Sequence, residues 1–183
     1  MKHGKKPHRK RVLIGAGVAA AVAAGTAGVL SANASETAPA AVTQASGKYL
    51  SRTNHLTISA ATKAAQAALD AAKKENQRVS VAVVDRNGNT IVTLRGDGAG
   101  PQAYESAVKK AYTAVSWNAP TSELAKRLQQ TPNLKDIPGT LFLGGGAPVD
   151  AKNAPIAGVG VAGAPSGDLD EKFAQAGVAA LGR

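Results

Sequence analysis

Cysteine is absent from the 183 residues of this chain. Disulfide bonds, thiolate nucleophiles, iron–sulfur clusters and cysteine-ligated zinc sites are therefore excluded. Aromatic residues are also few, at 3% of the chain. A domain of this size without disulfides must be held together by its own hydrophobic core or by partner subunits.

Histidine is scarce as well, and this limits the chemistry further. Two of the three histidines lie within the first eight residues, and beyond them the sequence has only His55. A protein-only zinc site needs more ligands than one imidazole. Serine–histidine catalysis would depend on His55 alone, and the chain has no G-x-S-x-G motif. Asp85 and Asp97 lie in predicted glycine-containing turns, where aspartate caps backbone amides, so no acid–base pair is predicted.

The first 34 residues have the three parts of a secretory signal peptide. Residues 2–11 hold six lysines and arginines and no acid, residues 12–30 are small and apolar, and Ala32-Asn33-Ala34 matches a small-x-small cleavage site. We therefore predict that residues 1–34 are removed and that the protein is secreted, either extracellular or associated with the cell wall. A retained membrane anchor is the alternative. Arg9-Lys10-Arg11 leaves both the general and the twin-arginine export routes open.

Removal of the leader lowers the net charge of the protein. The chain has 22 basic and 12 acidic side chains, and the leader holds six of the bases and none of the acids. The rest therefore has 16 bases and 12 acids, a net charge of +4, without basic clusters among aromatics. This pattern excludes a nucleic-acid-binding protein. Residues 35–54, rich in Ala, Ser, Thr and Gln, are predicted to be a flexible lead-in to one domain over residues 55–183.

The domain sequence alternates between helix and strand patterns. Helices are predicted over about residues 59–76, 101–117, 121–130 and 168–181, and strands over residues 79–84, 90–94, 141–143 and 155–161. Strands joined in pairs by short turns favour an α+β fold, with an antiparallel sheet of four to five strands flanked by helices in the order α-β-β-α-α-β-β-α. Ser59 is predicted to cap the first helix, and Asp168 with Glu171 to form a capping box on the last.

Two glycine-rich stretches resemble nucleotide-binding motifs, but neither has the residues or the structural context that such a motif requires. Gly144-Gly145-Gly146 lacks the lysine and hydroxyl that a phosphate loop requires. Residues 158–163 spell G-x-G-x-x-G, but they lie inside a predicted strand instead of between a strand and a helix. We therefore predict that the triple glycine ends a strand, and that Gly158 and Gly160 leave room for a helix against the sheet.

Several spaced segments together resemble the GlcG/HbpS-like family. They are VAVVDRNGN, LRGDGAGP, AVKKAYTAVSW, LFLGGGAPV and IAGVGVAGAPSGDLDEKFAQAG, within residues 55–182. Because it has a predicted export leader, the chain most resembles the HbpS branch, the secreted haem-binding proteins of actinomycetes. The resemblance implies a homo-oligomer, an octamer, that binds haem, degrades it in the presence of peroxide and acts with a membrane sensor histidine kinase. Enzyme activity rests on the resemblance alone.

The family also implies an alternative function. Its cytoplasmic relatives near glycolate genes imply a small-molecule enzyme or accessory protein, which the predicted leader disfavours. Surface E-x-x-E iron sites are associated with such proteins. The nearest match here is Asp168 with Glu171, which the capping box explains equally well.

The second predicted helix carries the candidate haem contacts. An apolar stripe that predicts burial consists of Tyr104, Val108, Ala111 and Val115. Thr113 lies on the opposite side of the helical wheel, near Lys109 and Trp117. The resemblance places haem near Thr113, so Lys109 or Lys110 would pair with a propionate and Trp117 would cover the macrocycle. The same face also suits packing against another subunit, and Tyr112 completes the candidate contacts.

The sequence offers several candidates for the ligand of the haem iron. Imidazole is the commonest protein ligand to haem iron, which makes His55 a candidate, although a histidine before a helix is more often a surface or capping residue. Tyr49, Tyr104 and Tyr112 are rivals through their phenolate oxygens. Thr113 is a weak ligand and is predicted to shape the pocket instead.

Overall fold

A computed structural model describes residues 43–182 of the chain. The predicted leader and residues 35–42 of the predicted lead-in lie outside the described residues. Residues 43–57 contain one 3-10 helix, Gly47–Tyr49, and their side chains are exposed apart from half-buried Leu56. Across residues 43–182, the structure contains no helix that is both long enough and apolar enough to cross a membrane.

The domain is built from four helices and four strands in the predicted order. The helices are α1 (Ile58–Lys74), α2 (Pro101–Trp117), α3 (Thr121–Arg127) and α4 (Gly167–Ala179). The strands are β1 (Ser80–Asp85), β2 (Thr90–Arg95), β3 (Gly146–Ala151) and β4 (Ala154–Ala162). All neighbouring strands are antiparallel, in the order β2-β1-β4-β3. The α+β prediction is therefore confirmed, with four strands.

The third strand is the main error in the predicted elements. Residues 141–143 are not part of any strand, and β3 begins at Gly146. The triple glycine therefore leads into a strand, whose first residue is Gly146, instead of ending one. A run of three apolar residues is also typical of a short buried strand, but here Phe142 is buried against a helix.

Helices cover both faces of the sheet because side chains alternate along each strand. Val81 and Val83 of β1 face the main core, which α1 and α4 complete with Ala65, Leu69 and Phe173. The intervening Ala82 faces the opposite side, where it packs against alanines of α2. The sheet thus separates α2 from α1.

Close approach of α2 depends on two glycines of β4. A Cβ atom at Gly158 would collide with the carbonyl oxygen of Ala111, and one at Gly160 with that of Ala107. The prediction that these glycines make room for a helix is confirmed. They leave the backbone of α2 in direct contact with the sheet.

The helix caps differ from the predicted ones. Thr57, not Ser59, caps α1, because its hydroxyl accepts the N–H of Ala60 at 3.1 Å. Ser166 caps α4 by accepting the N–H of Leu169 at 3.2 Å. The predicted Asp168–Glu171 capping box is wrong, because Glu171 points into the protein and is buried.

Candidate functional site

The outer face of α2 is rotated relative to the predicted wheel. Ala111 and Val115 are buried as predicted. Tyr104, however, is 49% exposed, so its place on the buried stripe is wrong. The helix contacts the sheet through an alanine seam that includes Ala103 and Ala107. Because alanines allow closer approach than a tyrosine ring, this seam decides which way the helix faces.

Thr113 is fully buried, which contradicts the prediction that it lies on the exposed side. Its hydroxyl donates to the carbonyl oxygen of Lys109 at 2.7 Å and accepts the N–H of Leu141 at 2.8 Å. Burial comes from residues 137–143, which lie along this side of α2 and which we term the covering segment. A helical wheel does not reveal such a segment, because it assumes that only the sheet side of a helix is covered.

The covering segment also contacts the predicted neighbours of Thr113. A Cβ atom at Gly139 would lie 3.6 Å from the ring of Tyr112, so the glycine packs directly on that ring. The ring of Phe142 meets Trp117 edge to face, with 5.2 Å between centroids and 69° between planes. Tyr112 and Trp117 are consequently half-buried.

The two predicted propionate partners have opposite environments. Lys109 is exposed, and its Nζ lies 3.8 Å from a carboxylate oxygen of Glu105 one turn earlier. Such exposed pairs are weak, so Lys109 is available to another anion. Lys110 is only 2% exposed and is already paired, so it does not face a ligand.

Lys110 belongs to a buried ion pair between α2 and α4. Its Nζ lies 2.7 Å from Asp170 Oδ2 and donates to the carbonyl oxygen of Val161 at 3.1 Å. Asp170 also accepts the N–H of Ala164 at 3.0 Å. Burial raises the pKa of Asp170, and the hydrogen bond and charge of Lys110 only partly oppose this effect.

Glu171 forms a second buried contact beside this pair. Its carboxylate accepts the Oγ–H of Ser122 at 2.6 Å and the N–H groups of Ser122 and Gly145 at 2.9 and 3.3 Å. The nearby hydroxyl of Thr121 accepts the N–H of Gly146 at 2.7 Å. Sequence reasoning missed these roles because the partners are far apart in the chain.

The buried contacts explain the triple glycine. A Cβ atom at Gly145 would lie 2.7 Å from Lys110 Nζ and 2.9 Å from Asp170 Cβ, and one at Gly144 would lie 2.9 Å from the backbone of Gly167. The segment therefore passes over the ion pair and against the start of α4. Its glycines allow the backbone to pack closely against the buried charges, and the segment is not a phosphate loop.

His55 lies near the hairpin turn that also contacts Tyr112. Its Nε2 is 2.8 Å from the hydroxyl of Thr53, and its side chain is exposed. It is close enough to Asp85, at the start of the turn, for its charge to contribute to that group's pKa. A Cβ atom at Gly88 of the same turn would lie 2.8 Å from the ring of Tyr112. Tyr112 thus contacts this turn, whereas Tyr49 is exposed in the segment before α1.

Two clefts open elsewhere on the surface of the described residues. One, of about 300 Å³, lies between the end of α1 and the turn after β2, with Lys73, Arg78 and Asp97 in its wall. The other, of about 440 Å³, lies between α1 and the end of α4 and is lined mainly by alanines. Neither of these two clefts includes a predicted haem contact.

Comparison with known proteins identifies the family. The sequence model of the HbpS-like haem-degrading proteins matches residues 56–179. The chain belongs to the HbpS-like family. A crystal structure of a double mutant of Streptomyces reticuli HbpS is 70% identical, with a TM-score of 0.77 over 80% of this chain and 99% of that one.

The chain is also similar to more distant relatives. The crystal structure of a PduOC:heme complex is 29% identical, with a TM-score of 0.64 over 69% of this chain and 95% of that one. An uncharacterized 15.0 kDa protein from the dhaT–dhaS intergenic region of Citrobacter freundii is 34% identical over 113 residues, 59% of this chain and 80% of that protein.

The HbpS-like chain has side chains that suit haem on the outer face of α2. Haem has a flat apolar ring and two carboxylates. Lys109 offers an exposed cation, and Tyr112 offers a half-buried aromatic ring with a phenol oxygen. Ile137 and Leu143, 40% and 52% exposed, add apolar surface at the ends of the covering segment. These residues fit the group, although an open face contacts only one side of a flat ring.

Proposed function

We propose that this protein is an exported haem-binding protein that holds haem on the outer face of α2 beside Tyr112. The observation that carries the proposal is the position of Tyr112, half-buried between Gly88 and Gly139, with the exposed Lys109 on the same helix face. Membership of the HbpS-like family supports it. The solved PduOC:heme complex of the same fold supports it as well.

Each residue has a distinct role in the proposed site. Lys109 pairs with a propionate, and its weak bond to Glu105 is easily exchanged. Tyr112 supplies ring contact, and its phenol oxygen or the imidazole of His55 is the candidate iron ligand. Thr113 and Trp117 remain proposed contacts, although Leu141 and Phe142 now cover them.

Bound haem would supply the redox-active iron at which peroxide-dependent degradation takes place. We propose this degradation, and an accessory role toward a membrane sensor histidine kinase, on the basis of family membership. The chain's own residues would hold the ring and exclude water from one of its sides. A second copy would cover the other side, in keeping with the proposed octamer.

Hemin titration of the purified protein lacking residues 1–34 tests the binding site. The wild type should give a saturable shift of the Soret band. Tyr112→Leu should weaken binding by about ten- to thirty-fold, the scale of 1.4–2 kcal/mol for a lost ring contact and phenol. Lys109→Ala should weaken binding a few-fold, and more at low salt, because a propionate pair is screened by ions.

Lys74→Ala is the matched control, because Lys74 is an exposed lysine on α1 across the sheet. It should leave hemin affinity unchanged. Equal affinity of all three variants and the wild type would show that haem does not bind to this face. Thr113→Ala is a poor probe here, because removal of a buried, bonded hydroxyl also affects folding.

The export proposal has a separate test. The motivation is the charged start, apolar middle and Ala32-Asn33-Ala34 of the leader. The protein in the culture supernatant or cell-wall fraction should have an intact mass that corresponds to residues 35–183. A mass that retains residues 1–34 would contradict cleavage.

A further inference from the structure

The connection between α3 and β3 is long for a compact domain. It runs over residues 128–145 and contains only the 3-10 helix Pro132–Asp136. Connections longer than about 12–15 residues with little regular structure are uncommon, and many of them are lids or binding loops. The covering segment, residues 137–143, forms the part of this connection that lies on α2.

Few bonds hold the covering segment on the helix. Within residues 43–182, its one hydrogen bond to another helix or strand joins Leu141 N–H to Thr113 Oγ1. Its other hydrogen bonds are local, as between Thr140 and Ile137. Phe142 is its buried side chain, whereas Ile137 and Leu143 are largely exposed.

The two ends of the segment differ in a way that suits a hinge. Gly139 has a φ of +80°, a conformation that glycine adopts readily, and it lies near the N-terminal end. Two residues beyond the C-terminal end, Gly145 is held by its N–H bond to the buried Glu171. Movement of residues 139–143 therefore leaves the buried ion pair and β3 in place.

We infer that the covering segment is a hinged cover that opens to let haem reach Thr113 and Trp117. This inference rests on the proposed haem site. Departure of Leu141 leaves the Thr113 hydroxyl with a free acceptor position while it still donates to the Lys109 carbonyl. Departure of Phe142 frees the surface of Trp117 for the ring. The closed form thus presents Tyr112 and Lys109, and the open form presents all four proposed contacts.

An engineered disulfide between Thr113→Cys and Leu141→Cys tests the cover. The Leu141 nitrogen lies 2.8 Å from Thr113 Oγ1, so the two Cα atoms are at most about 6.7 Å apart, within the range that a disulfide spans. Because the chain has no other cysteine, this pair alone can form the bond. Zinc protoporphyrin is the probe, since it fluoresces and is not altered by thiol reductants.

The oxidised double variant should bind zinc protoporphyrin at least about tenfold more weakly, or at least about tenfold more slowly, than the same protein after reduction. Comparison of two forms of one protein cancels the loss of the Thr113 hydroxyl. The Thr113→Cys single variant is the control and should not respond to the redox change. Equal affinity and equal association rate of the two forms would overturn the inference.

Hydrogen exchange of the ligand-free wild type separates this inference from the haem proposal. The amide of Leu141, which is bonded to Thr113 in the closed form, should exchange at least about a hundredfold faster than those of β4, because it opens without unfolding of the sheet. Exchange as slow as in β4 would overturn the cover. Absence of any hemin or zinc protoporphyrin binding to the wild type would instead overturn the proposed function, whatever the exchange rates.

Discussion

At the scale of single residues, the feature with the largest desolvation cost is Lys110, a residue of α2 whose side chain is buried. Lys110 and Asp170 are 2% and 3% exposed, and neither can recover its hydration without unfolding. The Val161 carbonyl accepts a further hydrogen bond from Lys110, and the Ala164 N–H donates one to Asp170. Replacement of both partners of a buried pair by apolar residues is often neutral or stabilising, whereas removal of one partner leaves an uncompensated buried charge and is strongly destabilising.

Asp170→Asn should therefore destabilise the domain by about 3–5 kcal/mol, because Lys110 would keep a buried charge without its counter-charge. Urea unfolding measures the loss. The double variant Lys110→Met with Asp170→Leu should recover most of it. Lys109→Ala, which breaks an exposed pair with Glu105, is the control and should cost less than about 1 kcal/mol. A similar small loss in Asp170→Asn would contradict the importance of the buried pair.

Asp85, at the hairpin turn, is an acidic residue whose contribution to stability depends on pH. Partial burial raises its pKa, but hydrogen bonds from the Asn89 backbone and side chain and the Asn87 backbone, with the charge of His55, outweigh this and lower it below 3.8. A carboxyl group whose pKa is lower in the folded state stabilises the fold at pH values above its pKa in the unfolded state. That stabilisation is lost as the pH falls through its pKa in the folded state.

Asp85→Asn should thus be less stable than the wild type at pH 6, and the difference should shrink as the pH falls below about 3.8. Urea unfolding at a series of pH values measures it. Asp97→Asn, which removes an exposed acid in the turn after β2, is the control. A difference between Asp85→Asn and the wild type that stays constant from pH 6 to pH 3 would refute the role of the charge.

At the scale of elements, α2 and β4 fit together because glycine and alanine remove the spacing that larger side chains impose. Gly160→Ala would place a methyl group against the Ala107 carbonyl and 2.5 Å from the Ala111 nitrogen. Both neighbours are helix backbone, which cannot rotate away. We expect a loss of about 1–3 kcal/mol in the free energy of unfolding, the usual scale for overpacking.

Gly47→Ala is the control for this prediction, because nothing lies within 4 Å of a Cβ atom at Gly47. It should change stability by less than about 0.5 kcal/mol. Thermal and urea unfolding of the two variants give the comparison. If Gly160→Ala is as stable as the wild type, α2 can shift away from the sheet at little cost and the close contact is not required.

At the scale of the whole molecule, several features of the described residues suit contact with a second copy of the chain. β2 and β3 are the edge strands of the sheet. Tyr104 is 49% exposed on α2, the helix that carries the proposed haem contacts. An exposed edge strand and exposed large side chains are features that a second copy can cover.

We expect the protein without residues 1–34 to be a homo-oligomer, with an octamer as the proposed assembly. Light scattering at micromolar concentration measures its mass. Tyr104→Glu should shift the mass toward smaller species, because a charge on a contact face must be desolvated on assembly. Lys74→Glu on α1 is the control for an added acid. A wild-type mass equal to one chain would contradict the prediction.

Local patterns were sufficient for most elements of this protein. Helical spacing, the Asn87-Gly88 turn and short connections determined the element order and the antiparallel sheet, because each signal lies within a few residues of the chain. The roles of Gly158 and Gly160 were predictable for a similar reason, since glycines inside a strand indicate a close backbone neighbour. Segments spaced along the domain also indicated the HbpS-like family.

Only the tertiary structure decided which side chains are buried on α2 and what pairs with them. Thr113 is covered by Leu141, 28 residues later, and Lys110 meets Asp170, 60 residues later. Glu171 does not cap its own helix and is instead bonded to Ser122, 49 residues earlier. Such partners are set by how the helices and the covering segment pack together, a three-dimensional fit that the spacing of residues along one helix does not encode.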